Sequence, residues 1–494
     1  MTPWSTAPAV VAFSDLTGLL TLLAYLAVLI YWVAVVVIIV SENREPYDTL
    51  AWILMLWLLP GLGLILYFMV GRNWPAITQK REWLHDMLAV RRPFMASFYD
   101  RHRGQDNALV ERVGDGVERR VIAAIRAENE SAPLPARTFE IYPSGEEYFP
   151  VLIGDIKNAK RFIHMQYFIW ERDELTTRVC DALMDRLKTG VEVRILNDFL
   201  GNIQYKKDQL KALRDAGAQW SSDVSQFNKA NYRNHRKITV IDGEVGHSGG
   251  VNIGQEYIDG GEKYPAWRDT GIRFTGPAVA GLQRLFAERW WERHGESLFE
   301  PKYFPDPDKE PGTIMTQVVS QGVEDYWNSA TRAHRIAIMG AKSRLLISSP
   351  YFVPDWSTRD CLIDSALSGR EIHLMMTGWP DKKLAFYAAQ SYWRPLLQAG
   401  GRVYLYEKGF FHSKSMVVDD SACAIGTMNL DIRSLKLHKE LMVWNYDRAS
   451  VKRLTDIFYD DLKECREVTL AEVEDWSNWT SFRNSLARLT SNLI

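Results

Sequence analysis

The chain begins with two long apolar runs and then changes to short alternating segments. Leu16 to Val40 is 25 positions without a charge, about 37 Å of helix and enough to cross a bilayer. No Lys or Arg precedes it and it outruns the apolar core of a cleavable signal, so a membrane span is predicted. Leu50 to Val70 adds 21 positions, roughly 31 Å, but Pro60, Gly61 and Gly63 interrupt it, which fits a kinked span or a re-entrant segment. The polar link between them, with Glu42, Arg44, Glu45 and Asp48, is short enough to make residues 1–75 a hairpin. Arg72, Lys80, Arg81, Arg91 and Arg92 follow, and the positive-inside bias predicts that everything downstream faces the cytoplasm.

Residues 76–135 read as a juxtamembrane and linking stretch that ends near Pro133 and Pro135. Trp83, Leu84, Met87 and Leu88 have helical spacing there, suited equally to a helix on the bilayer surface and to an ordinary packed helix. Beyond it one plan occurs twice, over 136–310 and 311–494. In the first copy the apolar run Phe162 to Ile169 precedes a helical stretch from about Glu174 to Lys188, closed by Gly190, and Val191 to Leu196 alternates like a strand. In the second copy Leu345 to Val353 precedes a helix near Ser357 to Ser368, stopped by Gly369. Strands alternating with helices at this spacing predict an α/β fold with the site at strand ends. Near the chain end Trp476, Trp479, Phe482, Leu486 and Leu489 share helical spacing, which suits bilayer contact or packing on the second copy.

Composition narrows the classes. With 59 Lys+Arg against 61 Asp+Glu the net charge is -2, so no global basic field argues for nucleic acid, and an anionic partner must be recognised locally. Cys180, Cys361, Cys423 and Cys465 lie far apart without CxxC spacing, which fits neither a disulfide framework nor a zinc site. The 18 Trp and 21 Tyr suit a protein working at a lipid headgroup boundary.

The candidate chemistry lies in a repeated pattern, His-x-Lys-x4-Asp-x6-Gly-x-x-Asn. Its copies are His235, Lys237, Asp242, Gly249, Gly250, Asn252 and His412, Lys414, Asp419, Gly426, Thr427, Asn429. About 0.04 chance matches to the first three positions are expected from ten histidines at average composition. In extended chain His and Lys two apart project from one face, so an imidazole and an ammonium share one space. Asp242 precedes Gly243, a pair that favours a tight hairpin and a structural role. The Gly-rich loop ending at Asn252 lets backbone amides approach an anion, with Asn as a further donor. Two such copies facing each other across an approximate two-fold axis supply an attacking imidazole, an opposing acid and two cations, the inventory of phosphodiester transfer. No metal is expected, because Lys is not a usual ligand and no His, Cys or carboxylate set surrounds the pairs.

The duplicated motif resembles that of the phospholipase D superfamily, and within it the bacterial cardiolipin synthases. The likeness extends to Glu42-Asn43-Arg44, Leu59-Pro60-Gly61, Gly249-Gly-Val-Asn252-Ile-Gly, Trp267-Arg268-Asp269-Thr270 and Tyr351-Phe-Val-Pro354-Asp355. It implies two phospholipase D-like units, each a mixed sheet flanked by helices, in pseudo-two-fold arrangement after two transmembrane helices. It implies that two phosphatidylglycerol molecules are joined into cardiolipin with release of glycerol, through a phosphohistidine and without a cofactor. Hydrolysis, or transfer to another alcohol, stays open. His235, Lys237, Asp242, His412, Lys414 and Asp419 would form the catalytic set, with His235 attacking and His412 as acid then base, or in the reverse order. Asn252, Asn429, Gly250, Thr427, Asp269 and Glu440 would complete the substrate site, the two carboxylates orienting the histidines. The partners implied are phosphatidylglycerol, anionic lipids and the bilayer, with no nucleic acid; homo-oligomerisation is left open. The location implied is the bacterial inner membrane, multi-pass, with the catalytic part cytoplasmic. Where the family commonly has Asn-Phe-Glu, this chain has His438-Lys439-Glu440, which bears on the acceptor headgroup. Arg233, Arg236, Arg268 and Arg433 could attract anionic lipid or be solvated surface charge.

Overall fold

The computed structural model describes residues 9–42, 46–71, 81–202, 207–223, 232–305, 312–322 and 324–491. Asn43, Arg44 and Glu45 of the polar link, and the basic Arg72 and Lys80, lie outside them. Two units form, one from the N-terminal 77 residues and the other holding almost all of the rest.

In the N-terminal unit Ala9–Ser41 is one unbroken helix, and Thr17–Ser41 within it is long and apolar enough to cross a membrane. The second apolar run departs from a single spanning helix. Pro46–Leu58 ends, Pro60–Leu66 restarts, and Tyr67–Gly71 finishes as a π-helical turn. Pro60 has no N–H to continue the ladder, so the break falls there. The 13-residue piece before it reaches only about 20 Å, too short to span alone. The hairpin itself forms: Val35 and Ile39 pack with Leu56 and Tyr67, and Trp52 meets Tyr67 edge-on at 5.5 Å. The outer faces stay apolar and open, Leu29 and Leu62 among them, as a membrane-associated segment requires.

The second unit contains two sheets of one topology. The first runs, in spatial order, Thr138–Tyr142, Gly271–Thr275, Val245–Gly249, Ile238–Ile241, Phe162–Tyr167, Glu192–Asp198, Gln219–Asp223. The second contains the same order, Ile314–Gln321, Glu440–Asn445, Ala422–Gly426, Ser415–Val418, Arg344–Ser348, Glu371–Thr377, Arg402–Tyr406, with one strand added at each edge, Leu134–Ala136 before it and Cys465–Val468 after it. The last three strands of the shared order are parallel and the other pairings antiparallel, giving the mixed sheets the repeat implied. Helices Val279–His294 and Arg448–Leu462 lie in the core that joins the sheets, where Phe286 and Leu454 share one apolar cluster with Val318, Ile238 and Leu441. The two halves are therefore one folded body.

Two stretches ahead of the first repeat are built into the fold. Leu134–Ala136 is an edge strand of the second sheet, antiparallel to Ile314–Thr316, so the Pro-marked stretch is built into the fold; Pro135 is tolerated at an edge. The helix Glu82–Asp100 buries Leu84 and Met87 against the first half, with Trp83 and Leu88 partly covered, so it is a packed helix.

Candidate active site

Each half delivers its histidine to the other half's carboxylate. Trp267–Arg268 and Phe410–Phe411 pair as parallel strands across the halves, and His412 N–H donates to the Arg268 carbonyl at 2.7 Å. The next residue of the first strand, Asp269, thereby lies beside His412. The mirror arrangement bridges Asn234 to Lys439, with His235 N–H donating to the Lys439 carbonyl at 2.9 Å, so Glu440 comes beside His235. His412 Nδ1 is 2.6 Å from Asp269 Oδ2, and His235 Nδ1 is 3.1 Å from both Glu440 oxygens.

These bonds determine the tautomer. Although burial alone would raise it, the charges of Lys414 and His412 hold the Asp269 carboxyl below its ordinary value. An ionised carboxylate only accepts, so Nδ1 donates and Nε2 keeps its lone pair. Burial, then the charges of Lys237 and Lys414, depress His235 far below an ordinary histidine; burial and Lys414 bring His412 to about 4. His235 also feels the charge of His412, and His412 that of Lys237, so the four side chains form one cluster. Both lysines are buried and donate to their own motif's carbonyl, Lys237 to His235 and Lys414 to His412. Burial lowers Lys237 to about 7 and Lys414 to about 8.

Most of the loop residues have partners within the protein. A Cβ on Gly250 would lie 2.0 Å from Asp269 Oδ1, so its bareness makes room for that carboxylate. At the equivalent place Thr427 donates its hydroxyl to Glu440. Asn252 accepts from Ile169 N–H at 3.2 Å and donates to the Tyr257 hydroxyl at 2.7 Å, which commits both ends of its amide to the loop. Asn429 differs: its buried Oδ1 makes no hydrogen bond among the described residues.

The motif aspartates lie away from the histidines, at the far end of the hairpin. Asp242, at φ 57, accepts from the amides of Lys160, Arg161 and Phe162. Asp419, at φ 51, does the same for Lys342, Ser343 and Arg344. Both staple the start of a central strand, so their place in the catalytic set is corrected to a structural one.

The description "Cardiolipin synthase, PLD-like domain" matches residues 152–263 and 335–462, and "Phospholipase_D-nuclease N-terminal" matches 28–72. The "Major cardiolipin synthase ClsA" of Bacillus subtilis is 33% identical over 480 residues, covering 93% of this chain and 96% of that protein. A cardiolipin synthase of Clostridium perfringens is 35% identical over 466 residues, 92% of this chain and 95% of its own. This chain belongs to the cardiolipin synthase family. In fold it is similar to a solved phosphatidylserine synthase of Haemophilus influenzae, with TM-score 0.58 and 15% identity over 75% of this chain and 99% of that one.

Sequence reasoning noted His438 only as a departure from this cardiolipin synthase family's usual run. Its ring lies 6.0 Å from that of His235, its Nδ1 is 3.8 Å from Glu440 Oε1, and its Nε2 accepts from Arg433 Nε at 3.2 Å. Lys439 turns away to Glu292 and Glu324, at 2.8 Å each. The aromatic walls were missed as well. Phe168 stands edge-on to His235 at 4.9 Å and beneath Lys237 at 5.4 Å, while Trp267 stands 5.6 Å from His412. The aromatic run Tyr167-Phe168 at a strand end was the available signal. Of the arginines considered for lipid attraction, Arg233 grips Asp198, Arg236 reaches Glu324, and Arg268 grips Asp461.

Proposed function

We propose that this protein is a cardiolipin synthase that transfers a phosphatidyl group between two phosphatidylglycerol molecules and releases glycerol. His412 takes up a proton at Nε2 as the anionic lipid binds; His235 Nε2 attacks the phosphorus of that lipid, the phosphorus–oxygen bond to glycerol breaks, and His412 gives the Nε2 proton to the departing oxygen. The terminal hydroxyl of a second phosphatidylglycerol then loses its proton to His412, attacks phosphorus and frees His235. Lys237 and Lys414 hold the nonbridging oxygens. The observation that carries this reading is the crossed pair of histidine–carboxylate bonds, made through Nδ1, which leaves both Nε2 atoms without a hydrogen bond among the described residues in one buried cluster with two lysines.

The assignment of roles follows from an asymmetry. Asp269 gives Oδ2 to His412 and Oδ1 to Thr270 N–H, whereas Glu440 is shared by His235, Thr427 and the neighbouring His438. His412 is thus the better-supported imidazolium, and His235 the less basic group suited to attack. A bound phosphodiester brings the negative charge that raises His412 toward neutrality. The basic residues after the hairpin support a cytoplasmic placement of this unit at the bacterial inner membrane, with the bent second segment as a second pass or a re-entrant piece.

The test is to incubate purified enzyme with headgroup-truncated or acyl-labelled phosphatidylglycerol, quench it and map the adduct. The expected result is a phosphatidyl group on His235 and cardiolipin as product. Phosphatidic acid as the main product, or an adduct on neither histidine, overturns the proposal.

A further inference from the structure

The second half carries apolar side chains that its own packing leaves uncovered. The helix Asn478–Arg488 packs on the helix Lys383–Gln398 through a face where Asn484 and Ala487 are buried and Arg483 donates to Gln390 at 3.0 Å. Its other face presents Trp479, Phe482, Leu486 and, one residue beyond the helix, Leu489, at 70, 57, 54 and 81% exposure. A water-facing helix carries charge on that face; this helix has no acidic residue at all and two arginines. The arginines run among rings. Arg488 lies over Trp356 at 5.4 Å and Tyr392 at 5.0 Å, and Arg359 covers Trp356 from 4.3 Å. Trp356 is itself 66% exposed.

Aromatic bodies beside guanidinium groups, with aliphatic side chains projecting beyond them, are what a headgroup layer accommodates: rings at the interface, alkyl groups below, cations on phosphate. A short path of contacts and chain also leads from the patch toward the site. Trp356 follows Asp355, which binds Arg335 and lies 3.7 Å from Lys436. Lys436 closes the helix Ile432–Lys436, and the chain runs from there through His438 to Glu440.

We propose that Trp356 and the outer face of the Asn478–Arg488 helix form a docking surface for the headgroup layer of a bilayer containing anionic phospholipid. The inference deepens the proposed function and rests on it for the lipid character of the substrate. Docking there holds the catalytic half against the lipid surface, so a phosphodiester reaches the histidines without its acyl chains leaving the bilayer.

Full-length protein with a photoreactive benzoylphenylalanine at position 479, reconstituted in phosphatidylglycerol-containing nanodiscs, reads the contact without relying on catalysis. Irradiation is expected to add the mass of a phospholipid at that position, and more so with phosphatidylglycerol than with phosphatidylcholine alone. No adduct, or crosslinking in native membranes to a protein instead, overturns the proposal. In the Trp479→Glu/Phe482→Glu variant the ratio of turnover on vesicles to turnover on monomeric dihexanoyl phosphatidylglycerol is expected to fall about tenfold; an unchanged ratio overturns it. A lipid adduct on a protein that makes no cardiolipin would reject the proposed reaction and leave the docking surface standing.

Discussion

Replacing Gly250 with alanine adds one methyl group against the carboxylate that orients His412. Gly250 does not need a left-handed backbone, so alanine brings no conformational strain, only the contact. The new Cβ would lie 2.0 Å from Asp269 Oδ1 and 2.7 Å from Cγ and Oδ2, where ordinary contact begins at 3.4 Å. Restoring contact moves the carboxylate by about 1.4 Å or an equivalent backbone shift, enough to break the 2.6 Å bond to His412 and the 2.7 Å bond from Thr270 N–H. A hydrogen bond to a charged group contributes about 1.5–3 kcal/mol, and an ångström of misplacement costs on the order of 10²-fold in rate, about 2.7 kcal/mol. The two estimates agree, so Gly250→Ala is expected to lower kcat about 10²-fold. Overpacking destabilises by about 1–3 kcal/mol, which leaves a domain of this size folded. Turnover of phosphatidylglycerol in mixed micelles, with thermal unfolding as the control, measures both. Turnover within twofold of the parent would refute the reasoning, because it would mean that the Asp269–His412 bond is not needed or that Gly250 does not guard it.

Thr427→Ala removes one donor to Glu440 and is expected to slow turnover about tenfold, in line with one charged hydrogen bond; Thr427→Ser should restore it, and failure of that rescue counts against the hydroxyl. The lysines titrate at about 7 and about 8 in the free enzyme, so kcat/KM is expected to fall as pH rises through that range and the phosphate-binding charge is lost. A profile flat to about pH 9.5 contradicts this. Over the window from these values to the ordinary lysine 10.5 the unfolded chain binds more protons than the folded one, so stability to denaturant should rise with pH. Asp242→Ala strips three backbone amides of their acceptor and is expected to lower the unfolding temperature while folded enzyme keeps its turnover; a selective loss of kcat would return Asp242 to the catalytic set. His438→Asn, which takes the family's commoner residue, frees Glu440 for His235 and is expected to shift the acceptor KM more than the rate of glycerol release, as separated by single-turnover measurement.

Much of this fold was legible because its units repeat. Glu174–Lys188 begins and ends where the apolar spacing and Gly190 place it, and Asp242-Gly243 makes the predicted turn with both residues at positive φ. Local signals failed where tertiary pairing decides. Pro135 reads as a linker by composition and becomes an edge strand because the second sheet offers a partner. His235 and Lys237 read as strand residues, yet the strand begins at Ile238, and the preceding residues are held by pairing with the other half. The loop glycine and asparagine read as phosphate ligands from residue type alone. That one clears space and the other locks a loop depends on atoms 19 residues ahead and 83 behind in the chain, Asp269 and Ile169.

The exchange of carboxylates explains why the site requires both halves. Within its own half His235 has Lys237 at hand, but no described residue there holds Nδ1; Glu440 arrives only with the strand that also supplies the Lys439 carbonyl to His235 N–H. His412 stands in the same relation to Asp269 and Arg268. A half taken alone would expose the inner faces of its sheet and leave its imidazole free to rotate and to choose either tautomer. Tautomer and orientation are what make a buried neutral histidine a nucleophile, so chemistry and association have one structural cause. Separately expressed halves should therefore be inactive apart, and any activity regained on mixing should be lost in a mixture carrying Asp269→Asn, even though that residue lies in the half opposite to the histidine it serves.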